Sequence, residues 1–276
     1  MKIAALIRDR PHTRYFVNRV HAAHGLALVV VEAPAGAKRL SAAIKRQGLR
    51  GLARVALRRH ASRARARRLD DVFGGDWARI DPTIPVFTVE SVNAPEVRDR
   101  LRALAPDLLL DHGTSIVGAP VLETAGLALN LHWGLSPYYR GVACTEWALI
   151  NWDPYNVGVT IHVLSKHIDG GHVVAQARVE VRPGDRVEDI NHRITAAGTR
   201  LVERIVARLG AGEALPFVPQ RPGEGHLFLK RHFSRHLRRQ VEHIEAAGLI
   251  AEMLEKPSRR EALPIVELPE VERRAS

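Results

Sequence analysis

Apolar residues along the 276-residue chain fall into short continuous runs separated by stretches with helical spacing. IAALI (Ile3–Ile7), LALVVV (Leu26–Val31), PVFTV (Pro85–Val89), DLLL (Asp107–Leu110) and LALNL (Leu127–Leu131) are rich in aliphatics, as strands covered on both faces are. Helical patterns lie between them at Thr13–Ala23, in the basic stretch after Ala37, at Ala94–Ala105 and at Ile116–Ala125. This alternation predicts an α/β fold with a doubly wound, Rossmann-like, mostly parallel sheet. Ligands in such sheets bind beyond the carboxyl ends of the strands, so polar residues there carry the most functional information.

Further along, the pattern predicts a helix at Thr145–Asn151, strands at Gly158–Leu164 and His172–Val181, and a long helix from Asp185 to Leu209. After Pro216 the chain turns basic and helical, in HFSRHLRRQVEHIEAAGLIAEML, and ends in a Pro- and charge-rich segment expected to be surface-bound or partly disordered. The expected organisation is a catalytic body over residues 1–212 with a helical extension and tail over 213–276.

Composition narrows the class. With 46% hydrophobic and 26% charged residues the chain can bury a sizeable core. A single cysteine, Cys144, excludes an internal disulfide and the Cys-rich metal patterns, and it favours a reducing, cytoplasmic setting. The opening MKIAALIRDRPHTR reads as a first strand, not a secretion signal, and no apolar run approaches membrane-spanning length.

The net charge of +11 is concentrated in one place. From Ala37 to Arg68 there is no acidic residue, while Leu40, Ile44, Leu52, Val55 and Leu57 partly keep a helical period broken near Gly48 and Gly51. This basic helical insert, about residues 37–72, is either a solvated face or a lid over phosphates. A nucleotide-linked small molecule suits it better than RNA, because no aromatic interleaves the arginines before Phe73. RDRPHTRYF, with no glycine-rich phosphate loop, follows the first strand, which argues against a dinucleotide oxidoreductase or a P-loop enzyme.

Polar residues gather at three strand ends: Asp111, His112 and Thr114; Asn130 and His132; and His162 with His167–Gly171. If LALNLHW is extended, Asn130 and His132 point to the same side. A neutral amide donor beside an imidazole suits polarisation of a carbonyl and handling of a proton as a tetrahedral centre forms. Asp169, followed by two glycines, supplies a carboxylate to orient His132 and take the proton of an attacking amine. The same patterns also occur as a strand-end cap and a plain turn. A metal-dependent hydrolase built on His112, His132, His162, Asp169 and His172 is an alternative, without the spacing of a helical metal motif.

In combination, NLHWGLSPYYRG, the helix with WALIN and GVTIHVLSKHIDGGHVVAQ closely resemble the folate-dependent formyltransferase family over roughly Pro106–Gly210, with the first hundred residues similar in strand order. The resemblance implies the formyltransferase fold and a catalytic triad of Asn130, His132 and Asp169, with His162 supporting it. It implies 10-formyltetrahydrofolate as cosubstrate and no metal. The pterin would sit between Gly113, Thr114, Ser115, Ile116 and Val117 on one side and the stretch Val163–Ile168, with Val163, Leu164, His167 and Ile168, on the other. The implied partner is a small-molecule primary amine or hydroxylamine, with an amino-sugar nucleotide leading. Acceptor-binding candidates are Arg8, Arg10, Trp133, Tyr138 and Arg140. The family's tRNA enzyme carries a C-terminal barrel, which the helical pattern here does not suggest. Hydrolysis of the formyl-folate itself stands as another alternative, no nucleic-acid or membrane partner is expected, and the tail leaves room for a homodimer.

Overall fold

The computed structural model describes residues 1–33, 66–221, 223–256 and 262–269. Most of the basic insert, residues 37–65, therefore lies outside the described residues. Strands β1 (Ile3–Arg8), β2 (Leu28–Glu32), β3 (Val86–Val89), β4 (Leu108–His112) and β5 (Leu127–His132) pair in parallel. β6 (Tyr139–Gly141) leaves the main sheet. β7 (Gly158–Val163) and β8 (Val173–Arg178) then return antiparallel at the edge, giving the order β3-β2-β1-β4-β5-β7-β8. β9 (His226–Phe228) pairs with β6 as a separate two-stranded ribbon.

Strand alternation divides the core into two layers. Ala5, Ile7, Leu110, Leu129, Leu131 and Ile161 face α1 (Pro11–His24) and the long helix at Val187–Gly210, meeting Phe16, Val17, Ile194 and Val202. Among the described residues 66–73 are helical (α2) and pack Leu69 and Phe73 against Tyr15 and Ala196. On the other face Ala4, Leu6, Val30, Leu109 and Ala128 meet Val97 and Leu101 of α3 (Pro95–Leu104). Each fully buried aliphatic side chain contributes about 1.5–3 kcal/mol relative to exposure, which explains the unbroken apolar runs.

The helix expected over Ile116–Ala125 contracts to α4 (Ala119–Leu122). The Asn93 side chain donates to the Ile116 carbonyl at 2.8 Å and accepts from the Gly118 amide at 2.6 Å, holding residues 116–118 as a loop. Pro120 then suits the first helical turn. α5 (Cys144–Ile150) and α6 (Val187–Gly210) fall close to expectation, and α7 (Arg235–Ala246) with α8 (Leu249–Glu255) fill the basic helical stretch. The Pro-rich segment lies along β8: Gln176 donates its amide to the Val266 carbonyl at 2.7 Å, and Val266 donates to Gln176 Oε1 at 3.0 Å. No helix among the described residues is long and apolar enough to cross a membrane.

Candidate active site

A cleft of about 1030 Å³ opens at the carboxyl ends of β1, β4 and β5. Register explains its polar floor. Asp111 on β4 pairs with Asn130 on β5, which pairs with His162 on β7, so the three side chains stand in a row on one face of the sheet. Asn130 Nδ2 lies 3.1 Å from His162 Nε2, and His162 Nδ1 donates to the Val163 carbonyl at 2.9 Å.

Asp169 arrives from the loop after β7 in a left-handed conformation, φ +47°. Gly171 lets that loop pass tightly, since a Cβ there would collide with the Val163 carbonyl oxygen. The Asp169 carboxylate accepts from the Gly141 amide at 2.7 Å, and its oxygens lie 3.5 Å from His132 Nδ1 and 3.3 Å from His162 Nε2. Burial alone would push this carboxyl up. The neighbouring His132 and His162 imidazoles and the Gly141 amide instead hold it far below the usual carboxylate range. His132 Nε2 donates to the Tyr139 carbonyl at 2.9 Å, with Cys144 Sγ at 3.7 Å. Burial pushes the Cys144 thiol well up, so it stays protonated.

The loops 113–117 and 164–168 line the cleft. Ile116 and Ile168 are 73% and 39% exposed on that wall, apolar surfaces that a flat ring can cover. The first loop is tied down by Glu32, which accepts from the Ser115 amide at 2.9 Å, its hydroxyl at 2.5 Å and Arg8 Nε at 2.8 Å. His12, His112 and Trp133 also line the cleft, with cations from Arg10, Lys230 and Arg238 and with Arg8, which Glu32 holds beside the first loop. Ring centroids of His12 and Trp133 are 4.7 Å apart. His112 Nδ1 donates to the Leu131 carbonyl at 3.1 Å while its buried Nε2 has no hydrogen-bond partner among the described residues, and burial lowers the imidazole pKa to about 4.

Asn130, His132, Asp169 and His162 thus converge in one cleft, with Arg8, Arg10, Trp133, Gly113, Thr114, Ser115, Ile116, Val117, Leu164, His167 and Ile168 on its walls. Val163, Tyr138 and Arg140 are not on the wall. Val163 and Tyr138 pack against the core, and Arg140 Nη2 reaches the Glu224 carbonyl at 3.3 Å. Residues not singled out from sequence as site members include Cys144, Asn191, Lys230, Phe233 and Arg238. Among the described residues no group of three or more His, Cys, Asp or Glu side chains is arranged to hold a metal ion.

A doubly wound sheet with an amide, two imidazoles and a carboxylate gathered at its carboxyl edge is an arrangement suited to chemistry at a carbonyl. Residues 28–206, more than half the chain, match the formyl transferase family, and the protein belongs to that family. It is an enzyme that transfers formyl groups, and this assignment does not favour the metal-hydrolase alternative. Its fold is similar to that of a 4-N formyltransferase from Francisella tularensis (TM-score 0.55, 15% identity, 84% of this chain and 78% of that one). It is also similar to a phosphoribosylglycinamide formyltransferase from Anaplasma phagocytophilum (0.52, 20%, 83% and 98%). A third likeness is to HypX from Aquifex aeolicus in complex with tetrahydrofolic acid (0.55, 16%, 86% and 31%).

Proposed function

We propose that the protein moves the formyl group of 10-formyltetrahydrofolate onto the primary amine of a small-molecule acceptor, with an amino-sugar nucleotide as the leading class. The convergence of Asn130, His132 and Asp169 within one cleft carries this reading. The loops 113–117 and 164–168, with Ile116 and Ile168 open to solvent, suit the pterin. Arg8, Arg10, Lys230 and Arg238 suit an acceptor's phosphates, and Trp133 its rings.

In this mechanism the acceptor amine attacks the formyl carbon and the carbonyl oxygen gains negative charge. The Asn130 amide donates to that oxygen. His132 joins it by exchanging its contact with Tyr139 or Asp169 for the substrate, since both ring nitrogens face protein groups before substrate binds. Asp169, held as an anion, collects the amine proton directly or through water. We read residues 1–212 as the catalytic body and 213–276 as an extension that contributes Lys230, Phe233 and Arg238 to the cleft.

The test is incubation with 10-formyltetrahydrofolate and a panel of amines, amino-sugar nucleotides and hydroxylamine-bearing amino acids, following tetrahydrofolate release and formamide by mass spectrometry. Asn130→Ala, His132→Ala and Asp169→Asn should each lose on the order of 100-fold or more in turnover. Near-full activity in His132→Ala would overturn the assignment, and formate release without any acceptor would point to hydrolysis of the donor.

A further inference from the structure

Asp169 must keep its carboxylate between two imidazoles while its backbone holds a left-handed conformation that is unfavourable for a residue other than glycine. The Gly141 amide holds the carboxylate, and Gln220, 51 residues further along the chain, holds the backbone. Gln220 Nε2 donates to the Asp169 carbonyl at 2.8 Å and to the Gly171 carbonyl at 2.7 Å, so its two amide hydrogens grip the turn on either side of Gly170. Both partners can only accept, which fixes the orientation of the amide and rules out the flipped form. Its buried Oε1 has no hydrogen-bond partner among the described residues, so these two donations place the side chain.

Register explains the reach. Val218 and Val173 exchange backbone hydrogen bonds at 2.8 and 2.9 Å, an antiparallel bridge at the start of β8. Two residues onward from Val218 and two back from Val173 bring Gln220 opposite Gly171. Gly171 has no room for a Cβ against the Val163 carbonyl oxygen, so the turn is held between β7 and Gln220. The same stretch of chain also supports the carboxylate, because β9 pairs with β6, whose Gly141 amide donates to it.

We propose that Gln220 is a positioning residue for formyl transfer, holding the Asp169 turn so that its carboxylate stays against His132 and His162. This rests on the formyl-transfer reading above. Gln220 is not on the cleft wall and acts only through the backbone of Asp169. The titratable groups around that carboxylate are His132 on β5, His162 on β7, Asp111 on β4 and Cys144 on α5. The two imidazoles favour its anion, and burial opposes it. An Asp169 released by Gln220 moves off the imidazoles, and its carboxyl rises toward the usual range. A displacement of about 1 Å at a reacting group is enough to slow turnover on the order of 100-fold.

The experiment compares the wild type with Gln220→Met, which keeps the volume and removes both donors, and Gln220→Lys, which restores a donor. Circular dichroism and thermal melting establish folding; if Gln220→Met does not fold, Gln220→Asn, whose shorter amide cannot span both carbonyls, takes its place. In Gln220→Met, kcat should fall on the order of 10- to 100-fold with both KM values little changed. Its turnover should also begin to fail at a higher pH on the acid side than that of the wild type. Gln220→Lys should recover most of the lost turnover. Carbon-13-labelled aspartate, followed without substrate, should show the Asp169 carboxyl titrating at higher pH in Gln220→Met. A Gln220→Met protein that melts lower but keeps the wild-type kcat and acid limb has lost stability alone, and this overturns the proposal, as does an unmoved Asp169 titration. If the wild type forms no formamide from any amine, the transfer reading has failed, and the Asp169 titration still decides whether Gln220 positions that carboxylate.

Discussion

The Gly141 amide donates to the Asp169 carboxylate at 2.7 Å, so the short ribbon of β6 and β9 and the loop after β7 are fastened at the reacting centre. Gly141 has φ +96°, and a Cβ there would collide with the Phe228 carbonyl oxygen. Gly141→Ala cannot be accommodated without separating β6 from β9 or turning the amide away from Asp169. We expect a loss of about 1–3 kcal/mol in stability together with most of the turnover. Thermal melting and formyl-transfer assays read the two effects separately, and an unchanged melting point with full activity would contradict the linkage.

Glu32 is the anchor of the loop expected to hold the pterin. Its pKa is lowered because Ser115, Arg8 and the Val92 amide outweigh the effect of burial. Glu32→Gln keeps the shape but supplies fewer acceptors to the Ser115 amide, the Ser115 hydroxyl and Arg8. Losing one charge-assisted hydrogen bond is worth about 1.5–3 kcal/mol, equivalent to a rise in KM for the folate of roughly tenfold or more. Arg8, released from Glu32, is also an acceptor-binding candidate, so the acceptor's KM should shift too while kcat moves much less, which steady-state kinetics with each substrate varied in turn would reveal.

The chain segment 262–269 covers the outer edge of the sheet, where Leu268 is buried and Arg204 donates to its carbonyl at 2.8 Å. Arg178 also reaches the Leu263 carbonyl. An open edge strand invites pairing with other chains. Leu268→Ala is expected to cost about 2 kcal/mol through the cavity it leaves, lowering the denaturant midpoint without abolishing transfer. Removing residues 262–276 should expose β8 and promote association, detectable by light scattering. A monomeric, equally stable truncation would show that this segment does not protect the edge.

Much of this arrangement was legible because burial on both faces of a parallel sheet writes aliphatic runs into the sequence. Period-two alternation placed Asn130 and His132 on one side, and the glycines after Asp169 marked its tight turn. Tyr138 and Arg140 lie off the cleft wall because Tyr138 packs against the core beside Tyr139, whose hydroxyl donates to Asp153 at 2.8 Å, and Arg140 turns to the Glu224 carbonyl. Lys230, Phe233 and Arg238 reach the cleft because β9 pairs with β6 across more than eighty residues of sequence. A three-residue pairing of this kind has no periodic signature. Asp111 and His112 were visible at a strand end, but their opposite protonation preferences depend on neighbours brought in by the fold.

These two adjacent residues should leave opposing marks on stability. The folded-state pKa of Asp111 is raised to about 7, so the folded protein binds more protons there than the unfolded chain, and stability falls as pH rises from about 4 to 7. The full effect is on the order of 4 kcal/mol. His112 is lowered to about 4, so its stabilising contribution is complete above about 6.5 and is lost as pH falls toward 4, on the order of 3 kcal/mol. Across about pH 4.5–6.5 the two slopes nearly cancel in the wild type. Asp111→Asn should therefore uncover a stability that climbs with pH in this window, and His112→Phe one that declines. Urea midpoints measured across that range would separate the two signs, and parallel curves for both variants would show that neither group is perturbed by its burial.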